Sequence, residues 1–83
     1  MLHVTALDAI GLAGVLAMLI AYALTVAGRL DPLRPPALLM NLFGSLAVLL
    51  SLTAAFNLSA AVIETAWALI ALIGLGRWLV MAR

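Results

Sequence analysis

Apolar residues run along this chain in long unbroken blocks, and polar residues gather where the blocks end. The first block, residues 9–28, is twenty consecutive uncharged residues. At about 1.5 Å of rise per residue it covers the roughly 30 Å hydrocarbon core of a bilayer, which predicts a transmembrane helix over about 9–28. It stops at Gly28-Arg29-Leu30-Asp31-Pro32-Leu33-Arg34-Pro35-Pro36, where three prolines and a concentration of charge form helix-breaking loop chemistry. A second uncharged stretch, 35–63, is twenty-nine residues long. As one helix it would extend about 43 Å and overshoot the membrane, so it must be interrupted. The turn-like Asn57-Leu58-Ser59 is the place to interrupt it, giving a second helix over about 37–56 and a third over about 59–80. The same division lengthens the block 65–76, which at twelve residues is too short to cross alone. It also puts Glu64 inside the third helix. The expected fold is all-α: a single transmembrane domain over 1–83, an integral membrane three-helix bundle with short connections.

Composition strengthens that reading. The chain of 83 residues is 69% apolar and 8% charged, against about 45–50% and about 25% in ordinary globular domains. A soluble domain this short is marginal unless stapled, and there is no cysteine to staple it. A lone histidine, His3, does not make a zinc site, so no metal is expected. The net charge is +1 and the four arginines, Arg29, Arg34, Arg77 and Arg83, are dispersed, which argues against a nucleic-acid partner. No nucleophile with its base and no phosphate-cradling loop is present, so neither an enzyme nor a cofactor is expected. Residues 1–8 carry no Lys or Arg, unlike a cleaved signal peptide. With three crossings all four arginines fall on one side, with the 29–34 loop and the C-terminus. The positive-inside rule makes that side cytoplasmic and puts Met1 outside. Arg77 and Trp78 suit an interfacial anchor.

Helix association in lipid relies on small residues and interhelical hydrogen bonds. In the first helix Ala13, Ala17 and Ala21 repeat every four residues with Gly14 beside them, a small-residue stripe onto which a second backbone closes. Tyr22 and Thr25 add hydroxyls, and that of Thr25 satisfies itself on its own helix. In the second helix Asn41, Gly44, Ser45, Val48, Ser51 and Ala55 form one broad stripe that must face protein. The Asn41 amide has two donors and an acceptor to satisfy, either by tying helices together or by binding a ligand.

Glu64 is the sharpest signal. It is expected about 7–8 Å below the outer end of its helix, with every arginine at the opposite face. A charged carboxylate costs about 2.5–3.5 kcal/mol at a helix centre on insertion scales, less nearer the ends. Desolvation favours the neutral acid, so one expectation is a carboxyl that exchanges protons or cations. The alternatives are structural hydrogen bonding and exposure in the headgroup zone. Trp67 lies one turn further on. From these depths Asn41 and Glu64 are about 16 Å apart along the membrane normal, two levels of one polar seam. The candidate pathway residues are Glu64, Asn41, Trp67, Ser45 and Ser51. The candidate helix-contact residues are Ala13, Gly14, Ala17, Ala21 and Gly44.

Asn41-Leu42-Phe43-Gly44-Ser45-Leu46, Ser51-Leu52, Phe56-Asn57-Leu58, Val62-Ile63-Glu64-Thr65-Ala66-Trp67 and Gly74-Leu75-Gly76-Arg77 carry a likeness over nearly the whole chain. It resembles a family of small bacterial three-helix membrane proteins, in which Asn-x-x-Gly and the pair Asn-Leu…Glu-x-x-Trp recur. That likeness implies a transporter-like protein of a bacterial inner membrane, multi-pass, and raises interest in Asn41, Gly44, Asn57, Glu64 and Trp67. The architecture is also similar to SemiSWEET and PQ-loop half-transporters, which pair two parallel three-helix protomers around a central pathway. Leu24-Thr25 stands where those have Pro-Gln, Val48 where they have a pocket Trp, and Glu64 where they have a pocket Asn. The likeness implies a homodimer or larger homo-oligomer in the lipid bilayer, with two Glu64 carboxyls titrating as a coupled pair. The functional expectation is a small half-transporter or channel-like protein, proton- or cation-coupled. The alternative is a non-catalytic accessory or scaffold subunit bound to a larger membrane-protein partner.

Overall fold

Local hydrogen bonding fixes where each helix begins and ends. The computed structural model describes residues 5–81 and contains three helices, α1 (Ala6–Val26), α2 (Pro35–Ser51) and α3 (Leu58–Met81). Met1, His3 and Arg83, on which part of the sidedness and metal expectations rest, lie outside the described residues.

The first helix starts three residues before the apolar block does. The Asp8 N–H donates to Thr5 Oγ1 at 3.1 Å and the Thr5 N–H donates to Asp8 Oδ2 at 3.1 Å, a reciprocal capping box. Asp8 therefore belongs to the first turn of α1, where a carboxylate also complements the helix dipole. At the other end Gly28 takes φ +76°, the left-handed conformation that a side chain would strain. Arg29 N–H reaches Leu24 O at 2.9 Å and Gly28 N–H reaches Thr25 O at 3.0 Å, which closes the helix in a Schellman motif. Leu33 N–H then bonds Asp31 Oδ1 at 2.9 Å, and Pro35 and Pro36 open α2 at positions where a missing N–H costs nothing.

The expected second helix of 37–56 runs five residues past the observed end at Ser51. Ser51 Oγ donates to Val48 O at 2.7 Å and Thr53 Oγ1 donates to Leu50 O at 2.8 Å. These hydroxyls supply partners to last-turn carbonyls, and the chain leaves the helix through turns at 52–55. The break itself lies where expected. Asn57 Oδ1 accepts from Ala60 N–H at 3.1 Å, so Asn57 caps α3.

In space α2 lies between the other two helices and packs against both, while among the described residues α1 and α3 do not pack against each other. The bundle is an open three-helix layer with α2 as its spine. The outer helices are long and apolar enough to cross a membrane, and α2 is a shorter apolar helix of 17 residues. Both outer helices turn large side chains away from the protein, among them Leu12, Leu16, Ile70 and Ile73. Contiguous apolar surface on this scale is foreign to a water-facing protein and ordinary in lipid.

Candidate functional site

The site is built from two helix contacts that share α2. On the α1 side the buried residues are Gly11, Gly14, Met18 and Ala21, a 3-4-3 spacing. Gly14 meets Gly44 at the crossing. A Cβ on Gly14 would lie 2.5 Å from Gly44 O, and one on Gly44 would lie 2.8 Å from Gly14 O and 2.5 Å from Met18 Cγ. Backbone touches backbone there, as the small residues predict. The stripe is not the expected one, however. Ala21 is buried and Ala17 half-buried, but Ala13 is exposed, because the seam advances by threes and fours rather than by fours alone. Ser51 also departs from expectation: it lies against Gly11 of α1, outside the cleft described below.

On the other side Glu64, Ala68 and Ala71 are the buried residues of α3. Leu42 packs with Ala68 and Ala71, and Leu38 covers Gly74. This antiparallel register brings Ser45 level with Glu64. The Ser45 hydroxyl is fully buried beside the Glu64 carboxyl, yet its own hydrogen bond goes to Met18 Sδ at 4.0 Å. Glu64 is 8% exposed, and its Oε1 is buried with no hydrogen-bond partner among the described residues. A carboxyl oxygen left this way costs about 1–3 kcal/mol or more relative to a satisfied one.

Because α1 and α3 stand apart, a cleft of about 740 Å³ lies between them. Glu64 and Trp67 line it from α3, Asn41 from α2, and residues from Val15 to Thr25 from α1, with Pro32 of the first loop at its far end. The cleft therefore runs from the Glu64 level toward the 27–34 loop, about 15 Å along α1. Asn41 and Glu64 do share one cleft, but the expected 16 Å between their levels is wrong. With α2 only 17 residues long, and each residue six positions inside its own helix, they are about 7 Å apart along the axes. Asn41 Nδ2 donates to Ala37 O at 3.1 Å, so part of its amide is satisfied within its own helix. Thr25 Oγ1 likewise donates to Ala21 O at 2.8 Å. Met18, which joins the crossing to the cleft, carried no sequence signal of its own beyond its place in the Gly11-Gly14-Met18-Ala21 spacing.

A second groove, about 480 Å³, lies at the loop end of the bundle, where Arg34 and Arg77 line it with Trp78. Asp31 Oδ2 is 4.0 Å from Arg34 Nε, an exposed and weak pair. Among the described residues no group of three His, Asp or Glu side chains is placed to hold a metal ion.

A protein-family model matches residues 7–83, nearly the whole chain. The chain belongs to that family. No curated protein and no solved structure matches it, so the likeness to half-transporters has no match behind it. Family membership covers Asn41, Gly44, Asn57, Glu64 and Trp67 alike without assigning any of them a role.

Proposed function

We propose that this protein is a multi-pass inner-membrane protein that works as a homodimer or larger homo-oligomer, a small half-transporter or channel-like protein with Glu64 as its proton or cation site. It has no catalytic role. The observation that carries the reading is Glu64 itself, a residue on the wall of a cleft whose Oε1 is buried without a hydrogen-bond partner among the described residues. Such a group is expensive inside a membrane and an Ala would continue the seam at no cost, so the carboxyl is kept for something it does. Asn41 and Trp67 share the cleft and are the polar and aromatic contacts for whatever moves through it.

The three crossings rest on α1, α2 and α3 together. At 17 residues α2 is at the short end of what spans a bilayer, a mismatch met by local thinning or by snorkelling at its ends. Arg29, Arg34 and Arg77 lie toward the same end of the bundle, which makes that end cytoplasmic and the Asn57 turn external. Since the chain lacks cysteine, single cysteines introduced at Arg29 and Asn57 report sidedness without background: a membrane-impermeant thiol reagent added to intact cells should label the second and spare the first. A cleft open on one side, between helices that do not touch, is what a second copy would close, and this is the support for an oligomer.

Flux is the test. Purified protein in proteoliposomes carrying a pH-sensitive or cation-sensitive dye should dissipate an imposed gradient, and Glu64→Gln should abolish this while leaving the helical content intact. Equal flux from both would sink the reading. The second reading, an accessory subunit of a larger complex, draws on the broad apolar faces of α1 and α3. A monomeric mass in mild detergent together with no flux would favour it.

A further inference from the structure

We infer that the cleft takes a hydrophobic organic cation, an amine or onium compound with aromatic or aliphatic bulk, and that Glu64 exchanges its proton for that charge. The inference rests on Glu64 being the cation site proposed above and narrows what the cation is.

Three properties of the cleft select this class. Its volume, about 740 Å³, lies within the range of small-molecule sites. Its charge comes from one side chain: among the described residues lining it, Glu64 is the sole charged group, and the arginines at the loop end line a different groove. Apart from Thr25 and Asn41 its remaining lining is apolar or aromatic, with Val15 and Leu19 from α1 and the Tyr22 and Trp67 rings available for contact with a cation. An inorganic ion is poorly served by such a place. It would need several oxygens to replace its hydration shell, whereas among the described residues lining the cleft only Tyr22, Thr25, Asn41 and Glu64 carry side-chain oxygens, divided among three helices. A cation that carries its own apolar body needs one counter-charge and a greasy wall. The Glu64 side chain, which lines the cleft, supplies the counter-charge.

The exchange balances simply. The protonated carboxyl gives up one proton to solvent, and the carboxylate that remains pairs with one positive charge on the ligand. From α2, Ser45 lies beside Glu64 and Asn41 lines the same cleft, and neither side chain is titratable. From α1, Tyr22 is the one titratable side chain lining the same cleft. The coupling therefore belongs to Glu64.

Tetraphenylphosphonium, which has no proton to lose, is the probe. Equilibrium dialysis of the reconstituted full chain should show saturable binding that strengthens from mildly acidic to mildly alkaline pH, with about one proton released per probe bound in weakly buffered solution, as competition at one carboxyl requires. Glu64→Gln should weaken binding by about tenfold or more and abolish the proton release, while Glu64→Asp, which keeps the carboxylate, should hold the affinity to within several-fold. Tetraphenylborate, of the same shape and opposite charge, should show no Glu64-dependent binding. Unchanged affinity in Glu64→Gln, or equal Glu64-dependent binding of the borate, would overturn the inference. Glu64-dependent proton flux without saturable phosphonium binding would overturn it too and leave the proposed function standing. Glu64-dependent binding without any flux would uphold the site and remove the transport reading.

Discussion

The two faces of α2 make a controlled comparison. Toward α1 the contact closes completely at Gly14 and Gly44, where each glycine leaves room for the other's backbone. Toward α3 the seam is also built from small residues, Ala68 and Ala71 against Leu42, but one turn further on it changes chemistry and presents Glu64. One face shows what small residues in a membrane-type helix contact do when only association is needed. The other shows the same pattern interrupted by a group that works against association. Because α1 does not reach α3, that group borders an open cleft instead of being sealed in. Stability and activity are therefore expected to reside on opposite faces of one helix.

Substitutions that break one face and spare the other sharpen this contrast. The largest effect belongs to the crossing: Gly44→Val introduces a side chain where even a Cβ would stand 2.5 Å from Met18 Cγ and 2.8 Å from Gly14 O. It should cost about 3 kcal/mol, at the upper end for overpacking, read as a lowered unfolding midpoint in detergent. Glu64→Leu should act in the opposite sense. Removing an unpartnered polar group should stabilise the protein by about 1–2 kcal/mol in the same assay while eliminating flux, and a destabilised variant would show that the carboxyl is structural glue. A smaller effect is expected from Ser45→Ala. It removes a hydroxyl that lies beside the Glu64 carboxyl and donates at 4.0 Å to a thioether, so stability should change by less than about 1 kcal/mol while the pH dependence of flux shifts. Smallest is Ala13→Leu. Ala13 is exposed and outside the observed seam, so this change should stay within about 0.5 kcal/mol; a large loss would restore the four-residue stripe that the structure replaces.

Much of the fold was legible because it depends on few residues. The prolines around Arg34 and the Asn57 cluster mark both connections, and Asn57 does so as a helix cap. The helix ends were less legible, since they are decided by side-chain hydrogen bonds rather than by apolar length. Thr5 and Asp8 extend α1 backward, and Ser51 and Thr53 shorten α2. That shortening propagates to the site: a 17-residue α2 brings Asn41 and Glu64 to nearby levels of one cleft instead of opposite halves of a bilayer. Glu64, Asn41, Trp67 and Ser45 stood out as polar or amphipathic residues inside apolar blocks. The assignment of Ser51 to α1, and the role of Met18 as the link between crossing and cleft, depend on how two helices rotate against each other. No periodicity in one helix states that rotation.

The central claim, a cleft-lining Glu64 that is free to take up and release a proton, is tested most directly by its reaction with a hydrophobic carbodiimide, which modifies protonated carboxyls in apolar surroundings. Mass spectrometry of the protein in its membrane should find one adduct, located at Glu64 rather than at Asp8 or Asp31, and slowed by alkaline pH or by tetraphenylphosphonium. An unmodified Glu64, or one whose labelling responds to neither pH nor cation, would contradict the account.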